Sequence, residues 1–246
     1  MDVRLSVIEK RFAQIKKVIA VGGGKGGVGK SMISVGLSLV LSKQKYKVGL
    51  FDLDFCGPSA HVILGVSNKL YPKEDRGIIP PSKEGIKFMS ITYYSRKHPL
   101  PLREIDMSSA FIELLAITRW GRLDFLVIDM PPGTKDVILD TIRFIKDVHF
   151  LIVTVSSLVA LETVKRTVRL LSELKVPVMG IIENMGEKGI FCSREYINKF
   201  NYPFLGVIKF DKYLEQAVGD IDKFMETSFI QDLKTIVESN KMFRLR

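Results

Sequence analysis

The sequence predicts an α/β fold with a mostly parallel central sheet that is flanked by helices on both faces. Short apolar runs alternate with segments of helical periodicity along the chain, as in folds built from repeated strand–helix units. Several of these runs are apolar almost throughout, which is typical of strands that are covered on both faces. The predicted strands span residues 17–21, 47–51, 87–91, 125–128, 150–155, 178–182 and 204–208.

The segments between these strands have the periodicity of amphipathic helices. In the predicted helix at residues 160–174, Leu161, Val164, Val168 and Leu171 form one apolar stripe, and the intervening charged residues face away from it. This stripe predicts a face that packs on the core. The main predicted helices span residues 32–41, 109–120, 134–146 and 160–174.

The length of 246 residues allows one large domain with a well-buried core. We expect a single domain over residues 1–246, with an N-terminal helical extension at 1–16. An irregular surface excursion is expected at residues 67–84, because Pro72, Gly77, Pro80 and Pro81 interrupt any regular pattern there.

Composition argues against a membrane-spanning or disulfide-rich protein. No apolar run reaches the roughly 18 residues that a membrane-spanning helix needs. Only two cysteines occur, Cys56 and Cys192, which is too few for a disulfide framework. The first residues include Glu9, Lys10 and Arg11 instead of the apolar stretch of a signal peptide. These features predict a cytoplasmic protein.

The chain carries a formal net charge of +10, from 37 basic and 27 acidic residues. Such an excess is compatible with binding to nucleic acid or to acidic lipids. The basic residues are scattered along the chain with acidic residues between them. That distribution favours a lysine-rich surface that also serves a polyphosphate ligand.

A glycine-rich segment carries the strongest functional signal. It matches the P-loop pattern at every fixed position, and it lies between an apolar strand and a helix. Glycines let the backbone curl so that N–H groups converge on phosphates, and the helix N-terminus adds its positive dipole end. Lys30 is expected to bridge the β- and γ-phosphates of ATP, and Ser31 to bind Mg²⁺. The predicted nucleotide-binding residues are Gly24, Lys25, Gly26, Gly27, Val28, Gly29, Lys30, Ser31 and Met32.

Three aspartates are expected at the same edge of the sheet as this loop. Asp129 ends the predicted strand 125–128, and Asp52 and Asp54 follow the predicted strand 47–51. Ligands of open α/β sheets collect at the carboxyl ends of strands, and the Mg²⁺-bearing aspartate of P-loop enzymes belongs there. We therefore assign Ser31, Asp52, Asp54 and Asp129 to the metal site. Asp54 is in addition expected to orient the attacking water, and Asp52 to stand in the outer shell of the metal.

Lys25 is a second lysine in the loop, beside the position that Lys30 already fills. It is either a solvated charge or a residue that reaches a nucleotide held by a facing subunit, as an arginine finger does in trans.

The chain resembles a known family along nearly its whole length. The loop looks like the deviant P-loop of the ParA, MinD, nitrogenase iron protein and Mrp/ApbC group, in which Lys25 is the signature lysine. Four more stretches resemble the Mrp/ApbC branch in particular, most clearly Gly57-Pro58-Ser59 and the run from Asp129 to Thr134. The four stretches are residues 52–59, 123–134, 159–161 and 180–185.

This resemblance implies a homodimer that sandwiches two nucleotides, with Lys25 reaching across the interface and Asn184 contacting adenine. It also implies a slow ATPase that acts in iron–sulfur cluster assembly or transfer and serves apo-protein clients. The family's usual Cys-x-x-Cys reads Cys192-Ser193-Arg194-Glu195 here, so that Glu195 replaces the second cysteine. We expect a labile cluster that bridges two subunits through Cys192 and is completed by a partner or by small thiols, because thiolate is the preferred ligand.

Two other functions remain open from the sequence. One is a ParA- or MinD-like positioning ATPase that binds DNA or a membrane. The amphipathic segment that contains Phe229, Leu233, Ile236 and Val237 is compatible with a membrane anchor, but also with a helix that docks on the core. The other is a nucleotide-gated adaptor that has lost the cluster.

Overall fold

Most of the chain alternates between strands and helices, as the sequence predicts. The computed structural model describes residues 3–55, 57–67, 70–94, 104–133, 135–186, 193–199 and 201–245. The strands in this part of the chain are β1 (Ile15–Gly23), β2 (Val48–Asp52), β3 (Lys73–Glu74), β4 (Ile78–Ile79), β5 (Ser82–Lys83), β6 (Ile86–Ser90), β7 (Leu123–Asp129), β8 (Val148–Val155), β9 (Val178–Gly186) and β10 (Phe204–Lys209). The α-helices are α1 (Val3–Phe12), α2 (Lys30–Lys43), α3 (Ala60–Ile63), α4 (Glu104–Ile117), α5 (Lys135–Phe144), α6 (Leu158–Glu173), α7 (Ser193–Asn198), α8 (Ile221–Glu226) and α9 (Ser228–Ser239).

One central sheet has the strand order β10-β9-β8-β1-β7-β2-β6-β5. The pairs from β10 to β6 are all parallel, and β5 pairs antiparallel with β6 at the edge. The predicted α/β fold with a mostly parallel sheet is therefore confirmed. The inner strands are apolar because helices cover both faces of the sheet, so that most of their side chains are buried.

The helices form two layers around this sheet. Buried residues of α2, α3, α8 and α9 join one core cluster, and those of α1, α4, α5, α6 and α7 join the cluster on the other face. The stripe of Leu161, Val164, Val168 and Leu171 in α6 is buried, which confirms its assignment to the core.

The C-terminal amphipathic helix α9 docks on the protein. Phe229, Ile230, Leu233, Ile236 and Val237 are all buried there, and the helix packs against α2 and β10. Its apolar face is thus already covered, which favours the docking interpretation of this segment over a membrane anchor. No described helix is long and apolar enough to cross a membrane.

Short strands lie within the stretch at residues 67–84 that the sequence predicts to be an irregular surface excursion. Within it, β3 and β4 pair as a small antiparallel hairpin, and β5 joins the edge of the main sheet. Prolines and charges hid these strands, since each has only two residues and shows no measurable alternation. At the N-terminus, β1 begins at Ile15, inside the expected extension at 1–16.

Candidate functional site

The glycine-rich loop lies between the end of β1 and the start of α2. Gly27 and Gly29 have φ angles of 77° and 86°, in the left-handed region that favours glycine. Gly29 precedes the first residue of α2, and none of the side chains that the structure describes caps the helix there. The first N–H groups of α2 are therefore available to an anion at this end of the helix. Lys25, Gly26 and Gly27 are exposed at the tip of the loop.

Asn184, near the end of β9, supports the loop from behind. Its side chain is buried, and its Nδ2 atom donates a hydrogen bond of 3.0 Å to the carbonyl oxygen of Val28. A Cβ atom at Gly29 would lie only 2.2 Å from the same Nδ2 atom. Gly29 is thus required twice, by its backbone angle and by the close approach of Asn184.

Two carboxylates lie side by side next to this loop. The parallel register of β2 and β7 pairs Asp52 with Asp129, and Val21 of β1 pairs with Asp129 on its other side. Both aspartates are fully buried. The register therefore brings together two acidic residues that are far apart in the sequence, at the carboxyl edge where β1 leads into the loop.

Serine hydroxyls hold these carboxylates in place. Ser34 Oγ, in the second turn of α2, donates to Asp129 Oδ1 over 3.0 Å and to the carbonyl oxygen of Lys30 over 2.9 Å. Ser90 Oγ, at the end of β6, donates to Asp52 Oδ2 over 3.3 Å. The sequence reasoning missed both serines. The only signal for Ser90 was its place near the end of the predicted strand 87–91, the next predicted strand along the chain after the one that leads to Asp52.

Burial and mutual repulsion disfavour the ionised form of both carboxyls. Burial raises the pKa of Asp129 to about 6, although hydrogen bonds from Ser31 and Ser34 and the charge of Lys30 oppose this effect. Burial, followed by the charge of Asp129, raises the pKa of Asp52 well above its usual range. A cation at this place would offset the repulsion.

Lys30 lies in the same environment and is itself buried. Burial lowers the pKa of Lys30, while the charges of Asp129 and Asp54 raise it in opposition. Its Nζ atom is 3.5 Å from the carbonyl oxygen of Lys25, at the limit of a hydrogen bond. The ammonium group thus lies under the loop, where the P-loop lysine is expected to meet phosphate oxygens.

Asp54 is linked to Asp52 through the backbone. The N–H of Asp54 donates to Asp52 Oδ1 over 3.1 Å, and Asp54 Oδ1 accepts from the N–H of Gly57 over 2.9 Å. Asp54 is only partly buried. Of Asp52, which ends β2, and Asp54, which follows it, Asp54 is therefore the one within reach of solvent, as a water-orienting residue must be.

The donor set at this edge fits a small hard cation. Asp129 Oδ2 is buried and has no hydrogen-bond partner among the described residues, while Oδ1 is engaged by Ser34. Oxygen ligands suit Mg²⁺, which binds through one or two protein groups together with phosphate oxygens and water. No group of three or more His, Cys, Asp or Glu side chains that could enclose a metal is found within the described ranges. That result suits a cation that is shared with a polyphosphate better than a cage made of protein alone.

The structure brings together most of the residues that the sequence assigns to the site. The loop, Lys30, Ser31, Asp52, Asp54, Asp129 and Asn184 meet at one edge, although their roles stay predictions. Cys56 and Cys192 lie outside the described residues. Glu195, which stands where the resemblance expects a second cysteine, is exposed in the first turn of α7.

Comparison with known proteins connects this site to one family. The family model described as ParA: NUBPL iron-transfer P-loop NTPase matches residues 14–239. An iron-sulfur cluster carrier protein of Aquifex aeolicus is 41% identical over 179 residues, which are 72% of this chain and 49% of that protein. The chain thus spans about half the length of that relative. The cytosolic Fe-S cluster assembly factor Nubp2 homolog 2 of Drosophila yakuba is 32% identical, and the match covers 93% of this chain and 97% of that protein.

Solved structures with the same fold include nucleotide complexes. A nucleotide-binding protein from Archaeoglobus fulgidus in complex with ADP superposes with a TM-score of 0.76 at 30% identity, over 90% of this chain and 93% of that chain. The septum site-determining protein MinD of Pyrococcus horikoshii, complexed with Mg-ADP, has a TM-score of 0.67 at 19% identity, over 91% of this chain and 95% of that chain. At that identity the second likeness concerns the fold alone.

Proposed function

Because the chain belongs to the family of NUBPL iron-transfer P-loop NTPases, we propose that it is a Mg²⁺-dependent, slowly hydrolysing ATPase that acts in iron–sulfur cluster assembly or transfer. The observation that carries this proposal is the P-loop beside two buried carboxylates, one of which keeps an oxygen with no hydrogen-bond partner in the described part of the chain. Such a site binds a triphosphate and its cation together. The names of the Aquifex and Drosophila relatives support the iron–sulfur part.

In the proposed mechanism each residue has a separate task. Lys30 and the backbone N–H groups of the loop bind the phosphates, and Ser31 with Asp129 would hold Mg²⁺, which neutralises phosphate charge when bound. Asp52 positions Asp54 through the backbone N–H of Asp54. The carboxylate of Asp54 then orients the attacking water and accepts its proton.

The proposed active species is a homodimer. Lys25 is exposed at the tip of the loop, and the loop carbonyl that faces Lys30 belongs to Lys25 itself. An exposed lysine at that place is free to reach a nucleotide on a facing subunit, where its charge would stabilise the transition state in trans.

The cluster is cargo in this proposal. Its protein ligand would be Cys192 from each subunit, with the remaining iron sites completed by a client protein or small thiols, since Glu195 offers a harder and less favoured ligand. The adaptor without a cluster is the competing proposal. A membrane-positioning ATPase has less support, because α9 buries its apolar face in the protein, and a DNA-positioning ATPase is supported by the net charge of +10 alone.

Nucleotide binding and hydrolysis are tested separately. Calorimetry with Mg²⁺ and ATP should show that Lys30→Ala loses most of the affinity, whereas Lys25→Ala and Asp54→Asn bind ATP almost as the parent does but turn it over more slowly. Mixing these last two variants should restore part of the activity, because a mixed dimer contains one site with both groups intact. Unchanged ATP affinity in Lys30→Ala would refute the binding assignment. Full activity of Lys25→Ala at every protein concentration would refute the trans role.

The cluster assignment is tested by anaerobic reconstitution followed by desalting. Iron, acid-labile sulfide and the visible absorption band are compared between the parent and Cys192→Ser, with Cys56→Ser as the matched control. We expect a labile cluster that disappears in Cys192→Ser only. A stable cluster that survives loss of Cys192 would exclude the bridging role, and no cluster under any condition, with a client present, would favour the adaptor.

A further inference from the structure

A second cavity with polar walls lies at the opposite edge of the sheet from the P-loop. It has a volume of about 250 Å³ and is lined by Arg11 at the end of α1, Gln14 before β1, Lys87 of β6, and Arg119 with Trp120 between α4 and β7. Because β1 and β7 begin beside it and end at the P-loop, the seven residues of β7 separate the two places by roughly 20 Å. The cavity is therefore not part of the nucleotide site.

Two buried donors of this cavity have no acceptor within the described ranges of the chain. They are Nη1 of Arg11 and Nε1 of Trp120, and the side chain of Trp120 is wholly inaccessible to solvent. Buried N–H groups without acceptors are rare in folded proteins, and leaving one unpaired is unfavourable. Both atoms are shielded from the open space of the cavity, so Arg11 would have to turn toward it for its unpaired N–H to meet an anion there, and Trp120 contributes no donor.

The other two cations keep protons to spare. Lys87 Nζ donates to the carbonyl oxygen of Trp120, which uses one of its three protons. Arg119 Nη1 donates to the backbone carbonyl of Asp75 and, over 2.8 Å, to Asp75 Oδ2, while a guanidinium has five N–H groups in all. Asp75 is the carboxylate found in contact with this group of cations among the described residues.

Like charges therefore crowd together at this place. Burial and then the charge of Arg119 lower the pKa of Arg11, and burial and then the charge of Lys47 lower the pKa of Lys87. These directions agree with the geometry, since cations that face one another without enough anions disfavour each other's charged form.

The turn between β3 and β4 holds the two guanidinium groups in place. Gly77 has a φ of 131°, and a Cβ atom there would lie 2.9 Å from Arg11 Nη2 and 3.1 Å from Arg119 Cδ. The N–H of Arg119 also donates to the carbonyl oxygen of Ile78 over 2.7 Å. The arginine pair is thus seated against a hairpin and is partly ordered before any ligand binds, which lowers the entropic cost of binding.

We propose that this cavity binds the phosphate group of a small soluble anion, with Arg11 and Lys87 as its main ligands and Arg119 as a further donor. Guanidinium groups match the oxygens of phosphate in pairs. A phosphate group carries a charge of about −1.5 to −2 at pH 7, which balances three cations and one carboxylate better than a single carboxylate would.

The test is calorimetric titration with inorganic phosphate in a chloride buffer of low ionic strength. The protein is first saturated with Mg²⁺ and a non-hydrolysable ATP analogue, so that all the phosphate positions of the P-loop are filled and added phosphate does not report on them. The variants are Arg11→Gln and Lys87→Gln, and Lys10→Gln is the matched control. Lys10 is exposed on the same helix, carries the same charge and does not line the cavity. A parallel titration uses citrate, whose charges come from carboxylates, with Mg²⁺ kept in excess over citrate and the heat of chelation subtracted by a protein-free blank.

We expect one saturable phosphate site in the parent and in Lys10→Gln, with an affinity lower by roughly tenfold or more in each of the other variants. Circular dichroism and thermal melting check that each variant is folded. If Arg11→Gln does not fold, Lys87→Gln decides alone. The proposal is overturned if phosphate shows no saturable binding, if both cavity variants bind it as the parent does, or if citrate binds more tightly than phosphate.

Discussion

The buried carboxylate Asp129 should make the metal-free protein less stable as the pH rises. Its pKa is raised from 3.8 to about 6, so the folded state holds a proton in a pH range where the unfolded chain has already released it. The favourable contribution is complete below the unfolded pKa and is lost as the pH rises through the folded one. At pH values well above the folded pKa, the raised pKa of this group lowers the stability of the folded protein by about 3 kcal/mol relative to low pH.

The variant Asp129→Asn removes this titration because its amide does not ionise, and it also removes the repulsion that Asp129 exerts on Asp52, which acts in the same direction. Between pH 5 and pH 8, ionisation of the Asp129 carboxyl should lower the free energy of unfolding of the parent by roughly 1 kcal/mol relative to that of the variant. The free energy of unfolding is measured by urea denaturation of both proteins in EDTA, at several pH values. The quantity of interest is the variant minus the parent. The cost of leaving the new amide N–H unpaired is the same at every pH, so it does not affect how this difference changes with pH.

We expect this difference to rise with pH. The variant Asp52→Asn should show the same sign, because the pKa of Asp52 is raised as well. Saturating Mg²⁺ and ADP should then stabilise the parent more than either variant, since the ligand binds the folded state and its cation needs the carboxylates. A difference that stays flat from pH 5 to pH 8 in EDTA would refute the claim that Asp129 is held against its charge.

Two further predictions concern packing. The variant Gly29→Ala should lower the stability of the nucleotide-free protein, measured by thermal melting, more than Gly27→Ala does. Both glycines have left-handed angles, but only the new Cβ at Gly29 would meet Asn184. Equal losses would show that the contact with Asn184 is unimportant. The variant Leu233→Ala should lower the free energy of unfolding, measured by urea denaturation, by about 2–5 kcal/mol, since Leu233 is fully buried against α2. The control Lys234→Ala, at the exposed neighbouring residue, should lower it by less than about 1 kcal/mol. Similar losses in the two variants would argue against docking of α9.

The sequence predicted the strands of the parallel sheet because burial on both faces leaves continuous apolar runs. The structure lengthens β1 and β9 at their carboxyl ends, where Gly22, Gly23 and Asn184 interrupt the apolar pattern without ending the strand. The short strands β3 to β5 could not be found, since two residues show no period. The family resemblance is confirmed by the family model and the relatives.

The site was only partly readable, for a physical reason. The loop is contiguous and its chemistry is local, so that its pattern stands out. The contact between Asp52 and Asp129 instead depends on β2 lying next to β7, and strand order is decided by packing between distant segments. The contact of Ser90 with Asp52 likewise depends on β6 lying next to β2, and that of Ser34 with Asp129 on the packing of α2 beside β7. The cation cavity, with lining residues from five separate segments, matches no motif at all.

Strand β9 gives a reason why nucleotide and cargo would be linked in the proposed function. Asn184 lies near its end and holds the loop through the carbonyl of Val28, and Gly29 closes on the same amide. Any ligand that shifts the loop must therefore shift Asn184 or break this hydrogen bond. The strand ends at Gly186, and Cys192 follows only a few positions further along the chain. A change at the phosphates thus has a short covalent route to the proposed cluster ligand.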